Sequence, residues 1–322
     1  MTSPLKIVVG GENLIDFVEH SGIDGMPQYH AIPGGSPYNV AVAAARQGGN
    51  VDYITPLSTD RLGQLLANRL IDSGVNLTAE RLDAPTSLAV VSLDQGQPSY
   101  QFYRTDTAER LITKPALDAT LKTAPWLFHI GSLALAGGKD AELWQEFFIT
   151  CHQQGVITSF DPNVRPLLIT DRIGYIQRLE AMFQYADIIK LSDEDISWLY
   201  PDMSLADAFQ HLLNISSKGL RVLTKGADAS VAFCGNTTIE MAVYPVQSLV
   251  DTVGAGDTFM ASILIWLHEN QKTDRHSICG DSGSGLSEDN LKAMMKYAAK
   301  AAAMNCEKQG CNPPSRDELL NE

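Results

Sequence analysis

Short runs of β-branched and aromatic residues alternate along the chain with longer amphipathic stretches. Two such stretches are "SPYNVAVAAARQGG" from residue 36 and "RLGQLLANRLIDSG" from residue 61, and the second ends at Gly74 as a helix C-cap. This alternation predicts an α/β fold, with a doubly wound, mostly parallel central sheet flanked by helices. Ligands of such sheets bind at the carboxyl ends of the strands. The predicted strands are "KIVVG" (6–10), "VDYITPL" (51–57), "WLFHIG" (126–131), "VITSFD" (156–161), "DIIKLS" (187–192) and "RVLTKG" (221–226).

Two regions interrupt this alternation, from about residue 17 to 33 and from 86 to 106. In both, apolar and polar residues alternate around Gly and Pro, which predicts antiparallel hairpin strands. Because neither region has a helical pattern to cover it, we expect them to form one small sheet apart from the main domain. Such a sheet is either a lid over a ligand site or a peripheral edge hairpin, and we favour the lid.

Composition narrows the class of protein. The chain has 322 residues, of which 44% are hydrophobic, and a formal net charge of −14. This length is enough for a full core, in one α/β domain or in two. No basic stripe is visible, so we expect no nucleic acid partner. The N-terminus lacks a signal peptide pattern, and no segment reaches the roughly 18 apolar residues of a membrane span. We therefore predict a cytoplasmic enzyme that does not bind membranes.

The stretch "DTVGAGDTF" at residues 251–259 carries the first candidate chemistry. It is neither a P-loop, since Asp257 stands where the lysine would be, nor a dinucleotide fingerprint. Gly254, Ala255 and Gly256 leave room for an anion at their backbone N–H groups, and a helix N-terminus follows. Asp257 is either the base that accepts a proton from a hydroxyl attacking a phosphoryl group or a helix N-terminal aspartate. We expect it to have an ordinary pKa, about 4, and to be ionised.

A second glycine motif, "PGGSPYNVAVAAARQGG", begins at residue 33. Gly34 and Gly35 predict a turn before a helix that begins near Ser36. Asn39 would lie in the first turns of this helix, where its amide either binds a polyol or serves as a buried structural group. Asp16 follows the first strand, where a carboxylate either binds sugar hydroxyls or belongs to a turn.

Together these motifs resemble those of the ribokinase-like (PfkB) family of carbohydrate kinases. "STDRLG" (58–63), "FDPNVRP" (160–166) and "TKGADAS" (224–230) also match in order, so the resemblance covers nearly the whole chain. It implies one kinase domain over residues 1–322, with the lid inserted in it. The implied reaction is transfer of the γ-phosphate of ATP to a sugar hydroxyl with Mg²⁺. Asp257 would be the base, and Gly254, Ala255 and Gly256 the anion hole.

The resemblance also assigns less specific positions. "NCEKQGCNPP" (305–314) resembles a segment that closes the adenine pocket and gives carbonyls to a monovalent cation, and "LSDEDI" stands where the family has an N-x-x-E motif linked to Mg²⁺. The implied sugar contacts are Asp16, Gly34, Gly35 and Asn39. The implied nucleotide contacts are Lys190, Ser192, Thr224, Lys225, Gly226 and Asn305. The implied K⁺ site comprises Asp251, Val253, Asn305, Lys308 and Gly310, and Asp195 is the residue linked to Mg²⁺.

Fructokinase-like details favour fructose as the substrate and fructose 6-phosphate as the product. A small residue and a proline follow Gly-Gly, and Arg104, Asn163 and Arg165 stand in fructokinase-like segments. Arg104 and Arg165 either contact substrate or phosphate or are surface charges. The alternatives are a kinase of the same fold acting on 2-keto-3-deoxygluconate, ribose or a nucleoside, and a catalytically silent sugar-binding or regulatory protein. Family lids often pair, so the resemblance also implies a homodimer through the lid.

Overall fold

The main architectural feature is a mixed sheet in which most neighbouring strands are parallel. The computed structural model describes residues 5–21, 26–94, 97–216, 218–279 and 285–321. Its strands are β1 (Lys6–Val9), β2 (Leu14–Ser21), β3 (Pro27–Gly34), β4 (Asn50–Tyr53), β5 (Leu57–Ser58), β6 (Asn76–Leu77), β7 (Arg81–Leu82), β8 (Leu88–Asp94), β9 (Gln97–Tyr103), β10 (Leu127–Gly131), β11 (Ile157–Asp161), β12 (Ile188–Ser192), β13 (Leu220–Lys225), β14 (Ala229–Cys234) and β15 (Thr237–Ala242). Its helices are α1 (Ser36–Arg46), α2 (Arg61–Asp72), α3 (Lys114–Leu121), α4 (Lys139–Gln153), α5 (Arg172–Phe183), α6 (Asp193–Leu199), α7 (Leu205–Ile215), α8 (Ala255–Glu269), α9 (Arg275–Cys279), α10 (Glu288–Cys306) and α11 (Arg316–Asn321).

Within the described residues the main sheet has nine strands, in the order β15-β14-β13-β12-β11-β10-β1-β4-β6. Pairing is parallel from β13 to β6 and antiparallel from β13 through β14 to β15. The central strands are hydrophobic because helices cover both faces. Along β10, for example, Leu127 belongs to one core while Phe128 and Ile130 belong to the core on the opposite face. The predicted α/β fold, with a mostly parallel sheet flanked by helices, is confirmed.

The two regions that interrupt the alternation form a separate small sheet. Among the described residues it has four strands, in the order β3-β2-β8-β9. The pairs β2·β3 and β8·β9 are antiparallel hairpins, as the alternation predicted, and a parallel pairing of β2 with β8 joins them. The first hairpin is longer than residues 17–33, since β2 begins at Leu14. Its role as a lid stays a proposal.

Helices α1 and α8 pack against each other and place their N-termini at the carboxyl edge of the main sheet. Both helices are rich in buried small and apolar residues, which allows this close approach. In the part of the chain that the structure describes, no helix has the length and apolar character needed to cross a membrane.

Candidate active site

The N-terminus of α8 is the centre of the site. Gly254 caps the helix with φ of 75°, a left-handed conformation that favours glycine, and a Cβ there would overlap the Cys311 side chain. A Cβ on Gly256 would lie 3.5 Å from the Lys190 Nζ atom, so that ammonium group lies beside the turn. The Ala255 N–H donates to the Thr252 carbonyl at 3.2 Å, which partly closes the predicted anion hole in this state.

Asp257 lies in the first turn of α8 and is held from α1. Its Oδ1 accepts a hydrogen bond from the Ser36 hydroxyl at 2.7 Å, and its Oδ2 accepts one from Asn39 Nδ2 at 2.9 Å. The side chain is buried, with 7% of its surface exposed. Two helix N-termini that are distant in sequence therefore meet at this carboxylate.

The pKa of Asp257 is raised, and our expectation of an ordinary value is wrong. Burial is the largest cause, because removing the carboxylate from water penalises its charged form. The hydrogen bonds from Ser36 and Asn39, and the charges of Lys190 and Arg165, lower the pKa but do not cancel the effect of burial. A raised pKa makes this carboxylate a better proton acceptor once it is ionised.

Of the predicted sugar contacts, Asn39 donates directly to Asp257, while Asp16, Gly34 and Gly35 lie at the segment that leads into α1. Burial raises the pKa of Asp16 to about 6, against the opposing charge of Arg165. The side chain of Asp16 lies against Gly34, where a Cβ would overlap its carboxylate, and a Cβ on Gly35 would overlap the Glu12 carbonyl. Asn39 Oδ1 is buried and has no hydrogen-bond partner among the described residues, so it is an available acceptor in the site.

The three fructokinase-like residues have different environments. Arg165 is exposed, and its Nη1 donates to Asn163 Oδ1 at 2.5 Å. Its charge lowers the pKa of both Asp16 and Asp257, so its field acts on both carboxylates of the site. Arg104 is buried and makes two hydrogen bonds to Glu109, at 2.9 and 3.1 Å. Arg104 is therefore not a surface charge, and the structure holds it by a carboxylate of its own segment.

All the predicted nucleotide contacts except Asn305, which lies in α10, are at the carboxyl-terminal parts of β12 and β13 or directly after β13. Lys190 is buried, and its Nζ lies 2.8 Å from Asp161 Oδ2. The Thr224 hydroxyl donates to the Leu191 carbonyl at 3.3 Å, Lys225 lies 3.8 Å from Glu240, and Gly226 has φ of 52°. These residues lie at the carboxyl ends of two neighbouring strands, and Lys190 is the one next to Gly256. Their role toward a nucleotide stays a prediction.

Ser192 and Asp195 form a capping box at the start of α6. The Ser192 hydroxyl accepts the Asp195 N–H, and Asp195 Oδ2 accepts the Ser192 N–H at 2.8 Å. Asp195 Oδ1 also accepts the Val164 N–H at 2.7 Å. Asp195 thus links the loop after β11 to β12. Among the described residues, no group of three or more His, Cys, Asp or Glu side chains is placed to hold a metal ion. The link of Asp195 to Mg²⁺ stays a prediction.

The predicted cation residues meet beside Gly254, with one exception. Asp251 accepts the Val253 N–H at 3.0 Å and the Gly310 N–H at 2.9 Å, and Asn305 donates to the Val253 carbonyl at 2.8 Å. A carboxylate and backbone carbonyls are oxygen donors of the kind K⁺ accepts, so the donor set fits that ion. The exception is the Lys308 side chain, whose ammonium group pairs with Glu318 at 2.7 Å. The prediction concerns the backbone carbonyl of Lys308, so this ion pair does not test it.

Three buried residues of the site were not predicted. Ser36 was considered as a helix start and as the small residue after Gly-Gly, but not as a contact of Asp257, which its hydroxyl makes. Glu12 is 1% exposed, and burial raises its pKa to about 7. Asp161 is the carboxylate paired with Lys190, and burial raises its pKa to about 6. Glu12 closely follows the first predicted strand, and Asp161 is the last residue of the predicted strand 156–161, so both lie at a strand end, the signal that also indicated Asp16.

Comparison with known proteins agrees with this arrangement. Residues 5–318 match the sequence model of the pfkB family carbohydrate kinases. The chain is 30% identical to Fructokinase-1 of Oryza sativa subsp. japonica over 322 residues, which covers 98% of this chain and 96% of that protein. Among solved structures, fructokinase with bound ATP from Xylella fastidiosa superposes with a TM-score of 0.86 at 28% identity, covering 98% and 97% of the two chains.

A more distant structure shares the fold. It is a fructokinase double mutant from Vibrio cholerae O395 with fructose, ADP and a potassium ion bound, and it superposes with a TM-score of 0.79 at 23% identity. The alignment covers 98% of this chain and 96% of that one.

Proposed function

The chain belongs to the pfkB family of carbohydrate kinases, and we propose that it is an ATP-dependent fructokinase that converts fructose to fructose 6-phosphate. The observation that carries the proposal is Asp257, a buried carboxylate at a helix N-terminus that accepts hydrogen bonds from Ser36 and Asn39 of α1, with Asp16 against Gly34 in the segment that leads into the same helix. This arrangement places a proton acceptor, hydroxyl-binding groups and an anion-binding turn within one site. The full-length similarity to fructokinases supports fructose as the sugar.

The site residues divide the work of phosphoryl transfer. Asp16 and Asn39 would bind sugar hydroxyls and orient the acceptor hydroxyl toward Asp257. The N–H groups of the Gly254–Gly256 turn would stabilise the negative charge of the transferred group. Because phosphoryl transfer passes through a loose transition state, the acceptor hydroxyl keeps its proton until late. Asp257 would then receive this proton, which its raised pKa favours.

Two cations belong to the proposal. Mg²⁺ would arrive with ATP and neutralise phosphate charge. K⁺ would bind near Asp251 and the carbonyl of Val253, where it would order the loop before Gly254. The V. cholerae protein of the same fold has ADP and a potassium ion bound, which supports a monovalent cation as a partner of the fold. The cytoplasmic location and a homodimer through the small sheet stay predictions.

A panel of acceptors in a coupled ADP-release assay tests the proposed function. We expect kcat/KM for fructose to exceed the values for 2-keto-3-deoxygluconate, ribose and nucleosides by at least about tenfold, the effect of one or two pocket contacts. A higher kcat/KM for any of these alternatives would reassign the substrate and keep the kinase. No ADP release with any acceptor would favour the silent sugar-binding or regulatory protein.

A further inference from the structure

Ser36 contacts the Oδ1 atom of Asp257. It is the first residue of α1, it is 6% exposed, and its hydroxyl donates to Asp257 Oδ1 at 2.7 Å. The second oxygen of Asp257 faces Asn39, whose amide is also available to a sugar. The two oxygens are therefore not equivalent. One is held by a group with no other predicted task, and the other is directed toward the substrate.

Glu12 holds the backbone of Ser36 in place. Its Oε1 accepts the Ser36 N–H at 3.0 Å, and its Oε2 accepts the Ala134 N–H at 3.3 Å. The backbone carbonyl oxygen of Glu12 would lie only 2.5 Å from a Cβ on Gly35, so the two backbones are in close contact. Glu12 therefore fixes the backbone at the start of α1 on both sides of the Gly35–Ser36 bond. Moving Glu12 would move the Ser36 hydroxyl, and Asp257 with it.

We propose that Glu12 and Ser36 form a positioning chain for phosphoryl transfer: Glu12 fixes the Ser36 backbone, and the Ser36 hydroxyl holds Asp257 in the orientation that receives the acceptor proton. The proposal rests on the proposed function. It differs from a purely structural role because the Ser36 hydrogen bond stabilises the ionised form of Asp257. Removing this bond should change the pH dependence of the reaction as well as its rate.

The sign of the pH effect follows from the groups that face Asp257. Ser36, Asn39, Lys190 and Arg165 lower its pKa, while burial raises it. Burial is the main cause that raises the pKa values of the nearby Asp161 and Cys311, and the charge of Asp257 adds to both shifts. Without the Ser36 hydroxyl, the pKa of Asp257 should rise further, and the reaction should require a higher pH.

The first experiment compares Ser36→Ala with Ser36→Thr and with a matched control, Ser262→Ala. Ser262 is a buried serine on α8 whose hydroxyl donates to the Thr258 carbonyl. A hydrogen bond to a charged group predicts that Ser36→Ala lowers kcat by about tenfold or more at pH 7 and moves the acid limb of kcat upward by about one pH unit. The KM for fructose should change less than threefold or so. Ser36→Thr, which retains the hydroxyl, should restore the limb, and Ser262→Ala should match the wild type.

The second experiment is a double-mutant cycle of Ser36→Ala and Glu12→Ala. If Glu12 acts through Ser36, the double variant should be within about twofold of the worse single variant, whereas independent effects would multiply. Glu12→Gln retains an acceptor for the Ser36 N–H and should be milder than Glu12→Ala. Thermal denaturation of each variant establishes that it is folded, and the Glu12 pair carries the test if Ser36→Ala does not fold.

An unchanged acid limb in Ser36→Ala, or multiplicative losses in the cycle, would overturn the positioning chain. Such a result would leave the kinase intact, because wild-type turnover is measured in the same assay. If the wild type phosphorylates another sugar better than fructose, the variants are measured with that sugar. The proposed function then fails while the positioning chain is still tested.

Discussion

Replacing Asp257 with Asn should abolish most of the turnover while leaving the fold and nucleotide binding in place. The change removes the proton acceptor without creating a cavity. In the variant, the amide oxygen can accept the hydrogen bond from Asn39 Nδ2, and the amide nitrogen can donate to the Ser36 hydroxyl, which rotates to accept. Both hydrogen bonds are therefore retained, and any loss of activity reports the loss of the base.

The expected magnitude follows from this geometry. General base catalysis contributes about 10²–10⁴-fold, or about 3–5 kcal/mol of barrier, so kcat should fall by at least about 100-fold. Stability should move the other way. Burial raises the pKa of Asp257, so its charged form destabilises the native state above that pKa. Asp257→Asn should therefore unfold at the same temperature as the wild type, or at a higher one, at pH 8.

Three measurements decide the matter: kcat in the coupled ADP-release assay, nucleotide affinity by calorimetry, and thermal denaturation. Asp171→Asn is the matched control, because Asp171 is also an aspartate at a helix N-terminus, where it caps α5 by accepting the Gly174 N–H at 3.0 Å. The control should keep wild-type activity. Turnover of Asp257→Asn within about threefold of the wild type would refute the assignment of the base. A large fall in its denaturation temperature would show that Asp257 is a structural residue.

Three further predictions concern the cation, the sugar carboxylate and the glycine turn. Replacing K⁺ with a large organic cation at equal ionic strength should lower kcat, because the loop around Asp251 loses the ion that orders it. Equal rates in both salts would contradict a role for the cation. Asp16→Asn should raise the fructose KM and increase the free energy of unfolding at pH 7.5 but not at pH 4, because ionisation of the native carboxyl, with its pKa of about 6, costs stability as pH rises. The rise from 3.8 corresponds to at most about 3 kcal/mol, and partial exposure of the side chain reduces this to about 1–2 kcal/mol; equal gains at both pH values would contradict it. Gly254→Ala should lower kcat, and it should lower the free energy of unfolding by at least about 1–2 kcal/mol, because a Cβ at φ of 75° would overlap Cys311. An alanine variant that is as stable and active as the wild type would contradict the tight turn.

Local signals in the sequence predicted the central strands, the first two helices and the glycine turns, whereas β14 and β15, which extend the sheet beyond β13, were not predicted. Gly254 and Gly35 have positive φ, and the residue type alone indicated turns there. The alternation around residues 17–33 and 86–106 also predicted the small sheet, although the parallel pairing of β2 with β8 depends on contacts between segments distant in sequence.

Side-chain partners were harder to predict, because they depend on how the segments pack. Ser36 and Asp257 are 221 positions apart, and only the packing of α1 against α8 joins them. The raised pKa of Asp257 has the same origin, since burial is a property of the folded chain. Arg104 has a nearer partner, Glu109, five positions away, but only the turn between β9 and the segment of Glu109 brings the two side chains together.

Analysis of the product is the most direct test of the central claim, that this chain phosphorylates fructose with ATP. Phosphorus and carbon NMR of a reaction containing the protein, fructose, ATP, Mg²⁺ and K⁺ would identify both the phosphorylated sugar and the oxygen that carries the phosphoryl group. We predict fructose 6-phosphate and ADP in equal amounts, with at most about 1% of this product from the Asp257→Asn variant over the same time. A wild-type reaction that releases inorganic phosphate without a sugar phosphate, or that leaves fructose unchanged while another acceptor is phosphorylated, would contradict the account.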